Sequence, residues 1–419
     1  MLSREQNDDL TRVEGEAPMG ALLRSWAWFP FAISAQLVAG EAPLRVRLLG
    51  VDYVAFRAPD GRIGFIDEAC PHRGVSMALA RNEGCVLRCI FHGWAVDVTG
   101  RVVEAPTHQG DTTAFLKGIR SRQHPVREQS GLVWVWLGEA PAADFPDLPF
   151  FTLPDDHIWM TVTKVDCNWL QGVEGSLDSA HVGTLHQSWV PRLAASVSGG
   201  ATIGLALKAV APRYEIARTP FGLSASAVRP LEDDSTYVRT TQFVAPFINL
   251  VPGTGRNEGS IFIGVPVDDT HHLLFFGYFS ESLVLDDDSP RVRALIGNDR
   301  LDPRNFAPFK GSREDNWGQD RAAMAAGHFT GFTDNLLEED IVVQVSMGPI
   351  VDRTREHPSS SDVAIVQARM LLLRALRNHG AGLPPLAPNH GEWTADDAFP
   401  VDRLVAAGED WRAVPEPAA

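Results

Sequence analysis

The chain has 419 residues, 44% hydrophobic and 21% charged, an ordinary globular composition that excludes a disordered, fibrous or small disulfide-scaffold class. Its 37 Lys and Arg against 53 Asp and Glu give a net charge of −16, which repels phosphate backbones and excludes nucleic-acid binding as the main function. Four cysteines are too few for a disulfide framework, so Cys70, Cys85, Cys89 and Cys167 read as thiols or metal ligands in a reducing compartment.

The N-terminal residues Met1 to Leu10 are polar and lack the apolar core of a signal peptide. The stretch Trp26 to Ala39 is too short to span a bilayer and is broken by Pro30 and Gln36, so the expected location is the cytoplasm, with no membrane association. An irregular lead-in with one short helix over Ala21–Phe29 is expected first. Strand signals follow: Leu44, Val46 and Leu48 alternate with Arg45 and Arg47, and Asp60-Gly61 between two alternating runs predicts a hairpin. A second hairpin is predicted over Trp94–Val98, Thr99-Gly100 and Val102-Val103. Gly131–Leu137 is apolar on both faces and predicts a buried strand.

Pro141, Pro146 and Pro149 resist both helix and strand and mark a domain boundary. The reading is therefore an all-β domain over residues 20–145 and an α+β domain over 150–419, built on one antiparallel sheet. Its strands are expected at Tyr214–Ala217, Gly222–Val228, Thr236–Val244, Ser260–Val267 and His272–Ser280. Its helices are expected at Asn168–His181, Arg313–Ala326, Asn335–Ser346 and Asp362–Arg377, the last capped by Ser361 or Asp362 and stopped at Gly380. The tail from Ala406 to Ala419 is expected to be loosely held.

Two constellations carry chemistry. Cys70-Pro-His72 and Cys89-Ile-Phe-His92, separated by 16 residues, each place one thiolate and one imidazole on a turn. A Cys₂His₂ set suits tetrahedral zinc or a [2Fe–2S] cluster held by two Cys on one iron and two His on the other. Zinc sites favour a Cys pair on one turn and a His pair on another, whereas here each turn carries one of each. Further on, Asp178 and His181 are three apart and share a helix face. His181 and His186 are five apart, about 140° on a regular helix, so the helix must bend, widen or end near Gly183 for both to reach one metal. Two His and a carboxylate make the facial triad of non-haem Fe(II) oxygenases. Asp340 is the candidate carboxylate, with Glu338, Glu339 and Asp334 as alternatives.

With these motifs, and with Glu339-Asp340-Ile-Val-Val-Gln344 and Asp352-Arg-Thr-Arg-Glu-His357, the chain resembles the catalytic α subunit of Rieske non-haem iron ring-hydroxylating oxygenases, in the phthalate 4,5-dioxygenase-like branch. The resemblance implies a Rieske β domain followed by a helix-grip (START-like) catalytic domain with a curved antiparallel sheet. It implies that Cys70, His72, Cys89 and His92 hold a Rieske [2Fe–2S] cluster. It also implies that His181, His186 and Asp340 hold a mononuclear Fe(II). Asp178 resembles the bridging carboxylate, which accepts hydrogen bonds from His181 and from His92 of the partner subunit. That role implies a head-to-tail homotrimer, alone or stacked, because the two metals of one chain lie too far apart for useful electron transfer. Many members carry Asn where Glu174 stands, so Glu174 receives no catalytic role.

The implied activity is cis-dihydroxylation of an aromatic carboxylate, a phthalate isomer or substituted benzoate. O₂ is consumed with NAD(P)H electrons delivered by a separate flavin and iron–sulfur reductase. The alternatives are a monooxygenase or an O- or N-demethylase on the same scaffold, or an electron-transfer Rieske protein with a degenerate second site. The chain has no Gly-x-Gly-x-x-Gly fingerprint after a strand. Ser179 and Arg213 are the candidate substrate-binding residues, Arg213 chosen from Lys208, Arg213, Arg218, Arg229 and Arg239 on or near the sheet.

Overall fold

The chain opens with a helix that the lead-in does not announce, α1 (Arg4–Thr11), closed by a capping box. Ser3 Oγ accepts from Gln6 N and Gln6 Oε1 accepts from Ser3 N. The computed structural model describes residues 2–139, 141–196, 202–253, 257–296, 311–386 and 393–412. They form two compact units. One comprises Val13–Phe145 with Val265–Asp269; the other comprises Met1–Arg12, Pro146–Gly264 and Thr270–Ala419. No helix among the described residues is long and apolar enough to cross a membrane.

In the first unit, the helix expected over Ala21–Phe29 lies earlier, as α2 (Pro18–Trp26), with Pro18 at its first turn. Trp28–Ile33 is instead a strand, β1, because its aromatic and branched residues pair with a buried partner. Pro30 is tolerated there at a bulge, where the register shifts before Ala32. The first predicted hairpin forms within β2 (Leu44–Leu48), β3 (Val51–Arg57) and β4 (Ile63–Asp67), a three-stranded antiparallel sheet. β5 (Arg81–Asn82), β6 (Val86–Arg88), β7 (Ala95–Asp97) and β8 (Val102–Glu104) make a second, containing the second hairpin. After a short helix, α3 (Thr112–Leu116), come β9 (Val126–Gln129) and β10 (Leu132–Trp136). β10 lies between β1 and β9, and all five of its residues are buried, which is why it is apolar on both faces. The core of this unit gathers Val54, Phe56, Ile66, Leu87 and Val96 around Cys70 and Cys89.

The second unit is built on one eight-stranded antiparallel sheet. Its strands are β11 (Ile158–Val165), β12 (Arg213–Thr219), β13 (Gly222–Pro230), β14 (Thr236–Val244), β15 (Ile248–Pro252), β16 (Glu258–Pro266), β17 (His272–Ser280) and β18 (Val401–Val405). The order is β11-β17-β16-β15-β14-β13-β12. One edge of β14 is shared: Gln242–Val244 pair with β15 and Thr236–Thr240 with β18. Helix α4 (Trp169–Leu177) lies on this sheet. The Asn249 amide of β15 donates to Val173 O (2.9 Å) and Ser176 Oγ (2.7 Å) of α4. A Cβ on Gly264 would come 3.2 Å from Val173 Cγ2, so a glycine lets helix and sheet approach.

Among the described residues, the remaining α-helices are α5 (Val190–Ala195), α6 (Pro290–Ile296), α7 (Arg321–Ala325), α8 (Leu336–Ser346) and α9 (Val363–Gly380). The predicted 313–326 helix is broken: Asn316 and Trp317 adopt φ of 53° and 55°, and only the stretch capped by Asp320 is α-helical. α8 matches its prediction, with Asn335 Oδ1 accepting from Glu338 N at 2.9 Å. α9 runs through Gly380 itself, and the side-chain cap is Ser359 on the preceding turn. Of the tail, residues 413–419 lie outside the described residues.

Candidate metal centres and cavity

Two loops of the first unit repeat one geometry. In the first, Cys70 N donates to Val75 O (2.8 Å) and Gly74 N to Cys70 O (2.9 Å). In the second, Cys89 N donates to Trp94 O (2.8 Å) and Gly93 N to Cys89 O (3.0 Å). Gly74 and Gly93 hold φ of +76° and +73°, conformations a side chain would strain. The repeat turns both cysteines into the core, 4% and 3% exposed, and leaves both histidines partly exposed with rings 4.6 Å apart. Trp94 stacks on His72 at 4.5 Å. Burial and the neighbouring Cys89 thiol raise Cys70 above its ordinary range, despite backbone N–H groups that lower it. Nδ1 of His92 is buried without a hydrogen-bond partner. Two inner sulfurs, two outer imidazoles and an orphaned ring nitrogen fit a [2Fe–2S] cluster with a thiolate side and an imidazole side.

In the second unit, α4 stops at Leu177, six residues before Gly183, and Asp178 is extended (φ −73°, ψ 117°). Asp178 Oδ1 accepts from Ala180 N at 2.7 Å, an Asx-type turn that starts the next segment. His181 then sits on a single 3₁₀ turn, His181–Gly183. The break resolves the five-residue spacing. His181 Nε2 lies 3.2 Å from His186 Nε2, and Asp340 Oδ1 from α8 lies 3.5 and 3.1 Å from those two nitrogens. Their donor atoms all lie within 4.8 Å of one another. Gly183 does not end the helix; a Cβ there would come 2.5 Å from Ala206 O.

The alternative carboxylates are placed elsewhere. Glu339, fully buried, accepts from His186 Nδ1 at 2.7 Å and from the Thr330 hydroxyl. Burial would depress His186, but Asp340 and Glu339 overcome it and raise the imidazole to about 10. The site therefore stabilises positive charge where a metal ion would stand, and its donor set fits a facial triad. Burial raises Asp178, yet His181, Ala180 N–H and the Tyr214 hydroxyl hold it below the usual carboxylate range. Its Oδ2 is 3.5 Å from His181 Nδ1, and Tyr214 donates to Oδ1 at 3.1 Å.

A cavity of about 890 Å³, part of it open to solvent, abuts the triad. Ile203, Phe262, Leu274, Phe276 and Leu336 make it mainly apolar, and Ser179, Arg239 and Thr241 add polar groups. Ser179 lines this cavity. Arg213 does not: its side chain is 66% exposed and pairs with Glu215, because it stands at the edge strand β12. Arg239, on an interior strand, lines the cavity in its place. A second cavity, lined by Asp178, His181, Asp340, Glu356 and His357 among others, opens beside the same triad. Glu174 sits in a buried ion cluster with Arg353 (2.8 Å) and Arg369 (2.7 Å), a structural role.

Comparison with known proteins agrees with these two centres. Residues 27–120 match the Rieske [2Fe-2S] domain family, and residues 135–417 match the family described as LigXa C-terminal domain like. The chain belongs to the Rieske oxygenases, as an oxygenase subunit with a Rieske [2Fe–2S] cluster and a mononuclear iron. Within them, it is 36% identical to the phthalate 4,5-dioxygenase oxygenase subunit of Pseudomonas putida, over 98% of this chain and 94% of that one. It is 32% identical to the 3-chlorobenzoate-3,4-dioxygenase oxygenase subunit of Comamonas testosteroni, over 92% and 91%. The fold matches dicamba monooxygenase bound to dicamba with a TM-score of 0.58 at 20% identity, covering 86% of this chain and 99% of that one.

Proposed function

We propose that this oxygenase subunit adds both atoms of dioxygen to the ring of an aromatic carboxylate, as a cis-diol, with electrons from a separate NAD(P)H-dependent reductase. The observation that carries the reading is the apolar cavity beside His181, His186 and Asp340, whose described lining holds one arginine or lysine, Arg239. A flat ring buries well among Phe262, Leu274 and Phe276, and a carboxylate requires a cation in such surroundings.

In this reading His181, His186 and Asp340 hold the iron, and Cys70, His72, Cys89 and His92 hold the cluster. When bound, the iron supplies dioxygen activation and the cluster supplies electrons. The protein's residues supply position. Glu339 accepts the Nδ1 proton of His186 and so leaves Nε2 as a lone-pair donor. Asp178 stays ionised beside His181 and lines both cavities, which suits a carboxylate linking His181 to His92 of the partner subunit in a head-to-tail homotrimer. The apolar lining keeps bulk water from the ring, and Ser179 and Arg239 orient the acid.

The test is turnover under ¹⁸O₂ with NADH, a phthalate-type reductase and a panel of phthalates, benzoates and methoxybenzoates. Two labelled oxygens on one ring are expected. One label, or release of formaldehyde, would move the assignment to monooxygenation or demethylation.

A further inference from the structure

The Asp178 carboxylate has neighbours of two kinds. Two belong to its own turn: Ala180 N donates to Oδ1 at 2.7 Å, and His181 Nδ1 stands 3.5 Å from Oδ2. The third comes from far along the chain. Tyr214, on β12 and 36 residues away, donates its hydroxyl to Oδ1 at 3.1 Å. Among the described residues it is the one donor to this carboxylate from outside Asp178–His181. The hydrogen-bond roles at Tyr214 follow from its partners. Ser179 N–H can only donate, and it does so to the Tyr214 oxygen at 2.8 Å, whereas an ionised carboxylate can only accept. The single hydroxyl hydrogen therefore goes to Asp178. Burial and the charge of Asp178 push the phenol up, so it remains a donor at neutral pH.

Side-chain freedom shows what the second bond adds. Aspartate χ2 is broad, so one bond pins one oxygen and leaves the carboxylate plane free to swing about it. The Ala180 N–H bond is of that kind, and the segment carrying it has already left the helix at Leu177. A second bond to the same oxygen, from a different element, fixes the plane. β12 is a firm base for it, paired with β13 along its whole length, with Tyr214 opposite the small Ala227. Arg213 and Glu215, on either side, pair with each other, and strand alternation turns Tyr214 to the opposite face. With Oδ1 taken twice, Oδ2 is the oxygen turned towards His181 and open to a second imidazole.

We propose that Tyr214 is a positioning residue for electron transfer between subunits: by holding Oδ1 it sets the Asp178 carboxylate so that Oδ2 joins His181 to His92 of the partner subunit. The inference rests on the reading of Asp178 as that link. A carboxylate that swings makes both contacts at once only part of the time, and transfer slows accordingly. Tyr214 is not among the residues lining the substrate cavity, and Ser179 keeps its bonds to Arg229 Nη2 through O (2.7 Å) and Oγ (3.3 Å) when the phenol oxygen is removed. Loss of the hydroxyl should therefore act on kcat and leave KM in place.

The test uses the assembled full chain, loaded with cluster and iron, as wild type and as Tyr214→Phe, with phthalate and 3-chlorobenzoate as probe acids. Cluster absorption is followed in two half-reactions: reduction by the reductase, and oxidation of the reduced cluster on mixing with dioxygen and the probe acid. In Tyr214→Phe reduction should keep its rate, oxidation should slow by about 10–100-fold, and kcat should fall with KM unchanged. A general loss of structure would slow both half-reactions. A crystal structure of the iron-free Tyr214→Phe chain gives a reading independent of turnover and should show the Asp178 carboxylate in more than one orientation. Tyr214→4-aminophenylalanine, which keeps an acceptor for Ser179 N–H and a weaker donor for Asp178, should restore most of the lost oxidation rate. Should Tyr214→Phe fail to assemble, that variant decides, with oxidation slower than wild type and reduction unchanged. Oxidation at the wild-type rate in Tyr214→Phe overturns the proposal, as do equal losses in both half-reactions or a single, wild-type orientation of Asp178 in the iron-free crystal. Asp178→Asn chains that oxidise their clusters as fast as wild type would instead overturn the link on which the proposal stands.

Discussion

Glu339→Gln should weaken iron binding at the second centre without touching the cluster. The wild-type carboxylate accepts two hydrogen bonds at once, from His186 Nδ1 at 2.7 Å on Oε2 and from the Thr330 hydroxyl on Oε1. A carboxamide offers one acceptor and one donor. If its oxygen faces His186, the amide N–H₂ confronts the Thr330 hydroxyl, which must turn away. If its nitrogen faces His186, the ring must carry its proton on Nε2, the atom that stands 3.1 Å from Asp340. Either way a charge-assisted bond in a fully buried setting is lost. Loss of such a partner costs roughly 10–100-fold in metal affinity, or about 1.4–2.7 kcal/mol. The assay is iron retained against a graded chelator, with the cluster followed by its visible absorption and its paramagnetic resonance when reduced. The chelator midpoint should shift by about one to two decades while the cluster signals stay constant. A chelator curve identical to the wild type would refute the orienting role of Glu339.

Three further outcomes follow from the same geometry. Glu174→Gln removes the negative charge that offsets the fully buried Arg353 and leaves a single acceptor oxygen beside it, so the second unit should lose about 3–5 kcal/mol and about 5–15 °C in Tm, and a calorimetric shift under about 2 °C would contradict this. Burial depresses His272 to about 4 against 6.5 unfolded, the Cys167 carbonyl opposing only in part, so the unfolded chain binds the extra proton between those values. The stability is complete above about pH 6.5 and falls by about 3 kcal/mol as pH drops towards 4. Urea midpoints at pH 5 and 7.5 should therefore diverge less in His272→Gln than in the wild type; equal divergence would discount the buried imidazole. Finally, co-expressed Cys89→Ala and His186→Ala chains should regain activity in mixed trimers, and no recovery in proven mixed trimers would argue against a centre shared between subunits.

The parts of the molecule that were readable in the sequence are those where local chemistry decides. The Asp60-Gly61 turn, the two-sided apolar run of β10 and the helix expected at Asn335–Ser346 all formed where turn, burial and helical preferences placed them. What was not readable depended on distant partners. β11, β15 and β18 are strands because the sheet supplies them with neighbours, and Val401–Val405 is too short and too polar to declare itself alone. At the site, the cysteine and histidine spacings were informative because a metal's ligand set restricts residue type. The choice among Lys208, Arg213, Arg218, Arg229 and Arg239 was not, because a basic residue reads alike on either face of a strand. Arg213 points to solvent on an edge strand, while Arg229 and Arg239 are buried on interior ones. The one available signal was position: interior strands of a sheet that grips a helix are where a buried cation can face a cavity.

The break after Leu177 shows how such a site is made precise. A helix continued to His186 would set the two imidazoles about 140° apart, so the chain must leave helical geometry between them. That irregular segment has few backbone bonds of its own, and side chains from the sheet and from α8 hold it. Tyr214, 36 residues away, accepts from Ser179 N and donates to Asp178; Arg229, 50 residues away, holds the Ser179 carbonyl; Glu339, 153 residues away, fixes His186. Each of these partners is locked by its own strand or helix, so the rotamers of Asp178 and His186 are set by rigid elements rather than by the loop that carries them. The same arrangement couples the cavity to the carboxylate beside the metal. Ser179 lines the cavity and donates its N–H to the Tyr214 hydroxyl, which in turn donates to Asp178, so one hydrogen-bond chain joins the cavity wall to that carboxylate.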